Sequence, residues 1–139
     1  MGRVLTELTI TNRADESASE RGYIPTDAVR SVTLHGVLVD TGANTLCLPK
    51  PLVAELGLAH LRTAVARTAT GEIDVEIFRD ASINVMGRVG TFECVQLPDD
   101  AEPLLGLLPL EGLGLEPDLQ NEALRVLPDY GPRNFRFVY

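Results

Sequence analysis

Apolar and polar positions alternate near the start of the chain. Val4, Thr6, Leu8 and Ile10 interleave with Leu5, Glu7, Thr9 and Thr11, the period-two pattern of a strand with a buried face. Residues 12–22 then turn polar and small. Asp15-Glu16-Ser17-Ala18-Ser19-Glu20 offers nothing to bury, which predicts a mobile loop. A second strand is predicted over residues 29–34. Gly36 lets the chain bend before Val37-Leu38-Val39, an apolar run that reads as a buried strand ending at Asp40. Thr45-Leu46-Cys47-Leu48 is a further short strand, stopped by Pro49 and Pro51. A short helix should follow, with Leu52, Val53 and Leu56 inward and Gly57 ending it.

From 61 to 78 the period returns to two. Ile73, Val75 and Ile77 alternate with Asp74 and Glu76 around Thr70-Gly71-Glu72, which predicts a hairpin with Gly71 at its tip. Strands over 81–85 and 89–97 join at Met86-Gly87-Arg88, and Pro98-Asp99-Asp100 is a turn. Residues 104–108 read as a buried apolar segment, 108–115 as a short glycine-interrupted helix and 124–127 as a strand. In the tail, residues 128–139, Phe135, Phe137 and Tyr139 alternate with Arg136 and Val138, as in an end that packs on something. Short strands at regular spacing predict a mainly β, single-domain architecture over residues 1–139, barrel-like or sandwich-like, with one or two short helices.

Composition narrows the function. A 139-residue chain with 45% hydrophobic and 23% charged residues is globular. Its net charge of −8 repels phosphate backbones and anionic lipid, so neither nucleic acid nor membrane is an expected partner. No apolar run approaches the ~20 residues of a spanning helix, and the N-terminus lacks a signal-peptide core, so a soluble cytoplasmic protein is expected. Cys47 and Cys94 have no CxxC spacing, and His35 and His60 have no neighbouring ligand set. No metal site and no cofactor are expected, and the cysteines read as packed thiols in a reducing compartment. Sequence patterns for phosphate, dinucleotide and zinc-protease sites are missing.

What remains is Asp40-Thr41-Gly42-Ala43, a carboxylate at a strand end followed by a hydroxyl and a glycine. Preceded by Val37-Leu38-Val39, it resembles the active-site turn of retropepsin-like, retroviral-type aspartic proteases. The order of the other parts agrees, with Gly71 in a hairpin about 30 residues on and Leu104-Leu105-Gly106 before a short helix. The stretch from Leu48 to Leu58, with its helix after the motif strand, looks like bacterial members of that family. Viral members often carry an acidic residue after the motif alanine and an arginine after the second glycine. Here these positions are Asn44 and Leu107, so a charge pair is lost whole and no charge is stranded.

The resemblance implies a retropepsin-like acid-protease barrel. It implies an aspartic endopeptidase acting on peptides or proteins, with Asp40 as the catalytic acid and Thr41, Gly42 and Ala43 supporting its loop. Thr70, Gly71 and Glu72 become flap candidates, and Leu104, Leu105 and Gly106 a second motif near the site. The chemistry needs two carboxylates and each chain supplies one, so a homodimer is implied. Residues 4–10 and the 135–139 tail are its candidate intermolecular strands. The alternatives are a catalytically inactive peptide-binding member of the fold and a purely structural β domain.

Overall fold

A computed structural model of the chain describes residues 3–128. Nine strands alternate with three helices in the order β1 Leu5–Asn12, α1 Arg13–Glu20, β2 Ser31–Val39, β3 Leu46–Pro49, α2 Lys50–Leu56, β4 Ala59–Thr68, β5 Gly71–Val85, β6 Arg88–Leu97, β7 Leu104–Leu105, α3 Leu107–Leu113, β8 Leu115–Asp118 and β9 Ala123–Val126. Seven strands form one sheet in the order β1-β2-β7-β3-β6-β5-β4. Because β1 also pairs with β5, through Thr9↔Asn84 to Asn12↔Ala81, the sheet closes on itself as a barrel and leaves β4 outside the ring. Closure sends the inward residues of each strand into one core. Leu8, Ile10, Leu46, Ile83, Cys94 and Leu105 are all essentially inaccessible there. The strands β8 and β9 form a separate two-stranded sheet. Among the described residues no helix is long and apolar enough to cross a membrane.

The mainly β expectation holds, with three α-helices instead of one or two. The predicted loop 12–22 is instead α1, a helix without a buried residue. Polar capping makes it. The Asn12 side chain accepts the Asp15 N–H at 3.0 Å, and Asp15 and Glu16 occupy the first turn, where the helix dipole favours acids. The Asn12 amide, itself 3% exposed, donates to the carbonyls of Leu56 and Gly57 at the end of α2, at 2.8 and 3.1 Å. Asp15 receives Arg30 through Nε at 2.8 Å and Nη2 at 3.0 Å, together with the Arg30 backbone N–H. The arginine lies so close to Gly57 that a side-chain carbon there would collide with its guanidinium.

Other differences are of extent. The strand expected over 29–34 runs from Ser31 through to Val39, and Gly36, at φ +70°, sits where the β1–β2 register slips. The strands expected to end at 78 and to start at 81 are one strand, β5, with a bulge at Arg79-Asp80 where Asp80 takes φ +63°. Residues 104–108 are not uniformly buried. Leu105 is inaccessible, but Leu107 is 38% and Leu108 56% exposed, because the chain turns into α3 at Gly106 and swings both side chains outward. Strand β8 had no counterpart in the sequence pattern, since Leu-Glu-Pro-Asp is too short and contains proline. The tail 128–139 and its 135–139 strand lie, apart from Pro128, outside the described residues.

The α1 tie predicts two measurable effects. Asn12→Ala removes the cap and leaves two α2 carbonyls without their donor, costing about 2 kcal/mol in a urea titration. Hydrogen bonds from the Arg30 guanidinium hold the Asp15 carboxyl below its ordinary value of 3.8. A carboxyl depressed by folding contributes fully above its unfolded pKa and loses that contribution as pH falls through the folded one. The stability gap between wild type and Asp15→Asn should therefore be widest near neutrality and shrink below about pH 4. A gap independent of pH would refute the ion pair's role.

Candidate active site

Asp40 follows the last residue of β2, and its position is fixed by β7. Leu38 and Val39 pair in parallel with Leu104 and Leu105, while Cys47 of β3 pairs antiparallel with Leu104. Thus β7 threads between the strands on either side of the Asp40 loop. The Asp40 N–H donates to the Leu105 carbonyl at 2.9 Å, and the Asp40 carbonyl accepts the Ala43 N–H at 3.1 Å. Asp40 Oδ1 accepts the Gly42 N–H at 2.9 Å, so the carboxylate is oriented by its own turn. A side-chain carbon on Gly42 would sit 3.1 Å from that oxygen and crowd it. Thr41 and Gly42 are exposed and Asp40 is half-buried.

The loop is braced from below by α3. Gly106 offers no capping side chain, yet the first N–H groups of the helix all find acceptors. Leu107 N–H donates to Ala43 and Leu108 N–H to Asn44, both at 2.8 Å; Pro109 has no N–H, and Leu110 N–H reaches Gly106 at 3.4 Å. These bonds require close approach. A β-carbon on Gly106 would lie 2.4 Å from the Thr45 carbonyl oxygen and 2.6 Å from that of Ala43. Glycine is therefore needed for space, since its φ of −95° suits any residue. Thr45, itself buried, completes the brace by donating its hydroxyl to the Glu93 carbonyl at 2.7 Å.

Of the residues singled out in the sequence, Asp40, Thr41, Gly42 and Ala43 are thus assembled with Leu104, Leu105 and Gly106 into one unit. Thr70, Gly71 and Glu72 stand apart at the exposed end of the β4–β5 hairpin. There Ala69-Thr70 forms the two-residue turn and the Thr68 hydroxyl donates to the Gly71 carbonyl at 2.8 Å. No hydrogen bond among the described residues links that tip to Asp40.

Several residues of this region were missed. Cys47, Val95 and Ile77 pair across β3, β6 and β5 and so share one face of the sheet. Cys47 and Ile77 are both buried on that face. A cavity of about 430 Å³ opens on it between Ile77, Val95, Phe92 and Leu108, with Asn44 and the Arg62–Glu93 ion pair among its walls. Only the strand parity of Cys47 could have signalled this, and that needs the partner strands. Burial first, and Asp40 second, push the Cys47 thiol up to about 11, and burial pushes Cys94 up to about 12. Among the described residues no group of three or more His, Cys, Asp and Glu could hold a metal ion.

Comparison with known proteins agrees with this geometry. Residues 31–111 match the family described as "gag-polyprotein putative aspartyl protease". No curated protein matches significantly. Among solved structures, the EIAV protease complexed with the inhibitor HBY-793 superposes with a TM-score of 0.53 at 21% identity, over 84% of this chain and 93% of that one. The likeness establishes the retropepsin fold.

Two outcomes test the site's construction. Gly106→Ala forces a methyl group into fixed backbone and should cost about 1–3 kcal/mol in chemical denaturation. Cys47 and Cys94, buried and protonated, should resist a thiol-disulfide reagent at about pH 8 in the native protein and react fully in denaturant. Rapid labelling of the native protein would contradict the burial described.

Proposed function

The chain belongs to the gag-polyprotein aspartyl protease family, and on that premise we propose that it is an aspartic endopeptidase whose working form is a homodimer with one Asp40 from each copy. The observation that carries the proposal is the state of Asp40. Its carboxylate accepts a single hydrogen bond, from the Gly42 N–H, and has no cation paired to it among the described residues. Its backbone, by contrast, is tied to β7 and to the α3-braced loop. A rigidly mounted acid with a free oxygen at an exposed loop is suited to proton transfer, and a structural turn aspartate would need neither feature.

Two such carboxylates facing each other share one proton. The ionised one takes a proton from water as its oxygen attacks the scissile carbonyl carbon, and the protonated one gives its proton to the carbonyl oxygen. Collapse of the tetrahedral intermediate breaks the C–N bond, with a proton delivered to the leaving amine. Thr41, beside Asp40 at the exposed loop, would bond its counterpart across the two-fold axis, and Gly42 and Ala43 would leave room for that approach. The Thr70-Gly71-Glu72 tip would close over a bound peptide. The cavity at Ile77 and Val95 would take a substrate side chain. The chemistry calls for no cofactor, and two free buried cysteines support a reducing, cytoplasmic setting.

The missing charge pair at Asn44 and Leu107 is compatible with this reading. The same two segments are joined here by the backbone bonds from Leu107 and Leu108 to Ala43 and Asn44.

Asp40→Asn should abolish cleavage of a peptide library while preserving the fold by circular dichroism, since it keeps size and removes the shared proton. Wild-type activity should lie on the acidic side of neutrality, where a dyad holds one proton. Cleavage persisting at near wild-type rate in Asp40→Asn would reject the assignment.

A further inference from the structure

The hairpin that ends at Thr70-Gly71-Glu72 is supported only near its foot. From Ile77 onward β5 pairs with β6, starting at Ile77↔Val95, and residues 81–84 pair with β1 as well. Residues 71–76 pair with β4 alone among the described residues. The register also slips at the foot of this arm, on β4 between His60 and Arg62 and on β5 between Phe78 and Ala81. Such irregularities interrupt the ladder and bend the strand, so the foot is where the arm can swing against the barrel.

Most side-chain bonds of the arm stay inside it. The Thr63 hydroxyl donates to Glu76 at 2.8 Å, His60 Nε2 lies 2.6 Å from the same carboxylate, and Arg67 pairs with Glu72. Among the described residues, one side chain of β4 bonds outside the hairpin. Arg62, the first paired residue beyond the slip, reaches past β5 and donates to both carboxylate oxygens of Glu93 on β6, from Nη1 at 3.2 Å and from Nη2 at 3.0 Å. Glu93 is mounted on the fixed centre. Its carbonyl accepts the hydroxyl of buried Thr45 at 2.7 Å, and its neighbour Cys94 is inaccessible and pairs with Leu46. Thr45 in turn adjoins Ala43 and Asn44, whose carbonyls receive the first N–H groups of α3.

We propose that Arg62 and Glu93 form a latch that sets the angle of the β4–β5 hairpin to the barrel, and through Thr45 to the Asp40 loop, so that both act as positioning residues for peptide binding. The effect on binding rests on the peptidase reading, whereas the tie itself rests on the contacts. Both side chains are about half exposed, at 51% and 45%. An ion pair so placed adds little to global stability. Its two parallel bonds nevertheless fix an orientation, and they do so across the joint where the backbone ladder is irregular. The pair also walls the cavity between Ile77, Val95 and Phe92. A peptide side chain seated there would rest against the latch, so loosening the latch weakens the hold on the peptide.

Spin labels test the latch without any need for cleavage. Placed through Thr70→Cys at the tip and Val89→Cys on β6, where Val89 is exposed, they report the spread of hairpin-to-barrel distances when labelled chains are diluted into unlabelled ones. Cys47 and Cys94 are buried and stay unlabelled. With each variant shown folded by circular dichroism, the distribution should broaden in Arg62→Met and in Glu93→Gln and narrow again when Arg62→Glu is combined with Glu93→Arg. It should keep its original width in Arg67→Met, which breaks an ion pair inside the hairpin. Urea midpoints should barely move. In a peptide assay the two single variants should raise KM about threefold to fivefold with kcat within about twofold of wild type, and the exchanged pair should recover most of that loss. Unchanged widths in both single variants, broadening that the exchanged pair does not reverse, or equal broadening in Arg67→Met would each overturn the proposal. A latch-dependent width in a chain that cleaves nothing keeps this inference and rejects the peptidase, whereas cleavage with widths and KM unmoved by both single variants does the reverse.

Discussion

The structure depends on one backbone-to-backbone contact, the seating of the Asp40 loop on the first turn of α3. Gly106 is its pivot. Three polar backbone atoms lie where its side chain would be, and the helix N–H groups beyond it are satisfied by loop carbonyls instead of by a cap. One contact therefore does two things. It completes the hydrogen bonding of a helix end, and it immobilises the only turn in the chain that carries a strand-end carboxylate followed by Thr-Gly. Because β7 sits between β2 and β3, the same residues that make the contact also join the two halves of the sheet.

Around that contact the barrel provides rigidity. The pairing of β1 with both β2 and β5 closes the ring, and a closed ring has few ways to move one strand alone. Elements outside the ring have the opposite character. The β4–β5 hairpin extends beyond its neighbours with Val65 and Ile73 exposed, and among the described residues the β8–β9 pair has no third strand. Those two elements, together with the exposed Thr41 and Gly42, are among the parts of the described chain with surface still to cover. A fixed centre with unsatisfied periphery is the arrangement expected of a half-site.

Much of this was legible in the sequence, for identifiable reasons. The strand at 4–10 announced itself because one face is buried and the other wet, whereas the equally clean alternation at 73–77 belongs to a hairpin whose outer part, Ile73 included, is exposed. The Asp40 turn and the Leu104-Leu105-Gly106 segment were found because each couples an apolar strand to a glycine. Helix α1 was missed because it is stabilised by Asn12, Asp15 and Arg30 and not by an apolar face, and hydrophobic periodicity is blind to that. The Cys47, Val95 and Ile77 face was missed because it is made by three strands distant in sequence. Leu107 and Leu108 read as core because composition cannot tell a leucine facing a core from one facing a groove.

The central claim is that Asp40 is one half of a site completed by a second Asp40, and subunit mixing tests it most directly. Wild type and Asp40→Asn, each shown to be folded, would be mixed at constant total concentration, allowed to exchange subunits, and assayed for peptide cleavage. If both carboxylates of a dimer are needed, activity falls as the square of the wild-type fraction. Activity falling in simple proportion to that fraction would mean that each chain works alone, and the shared-site account would be wrong.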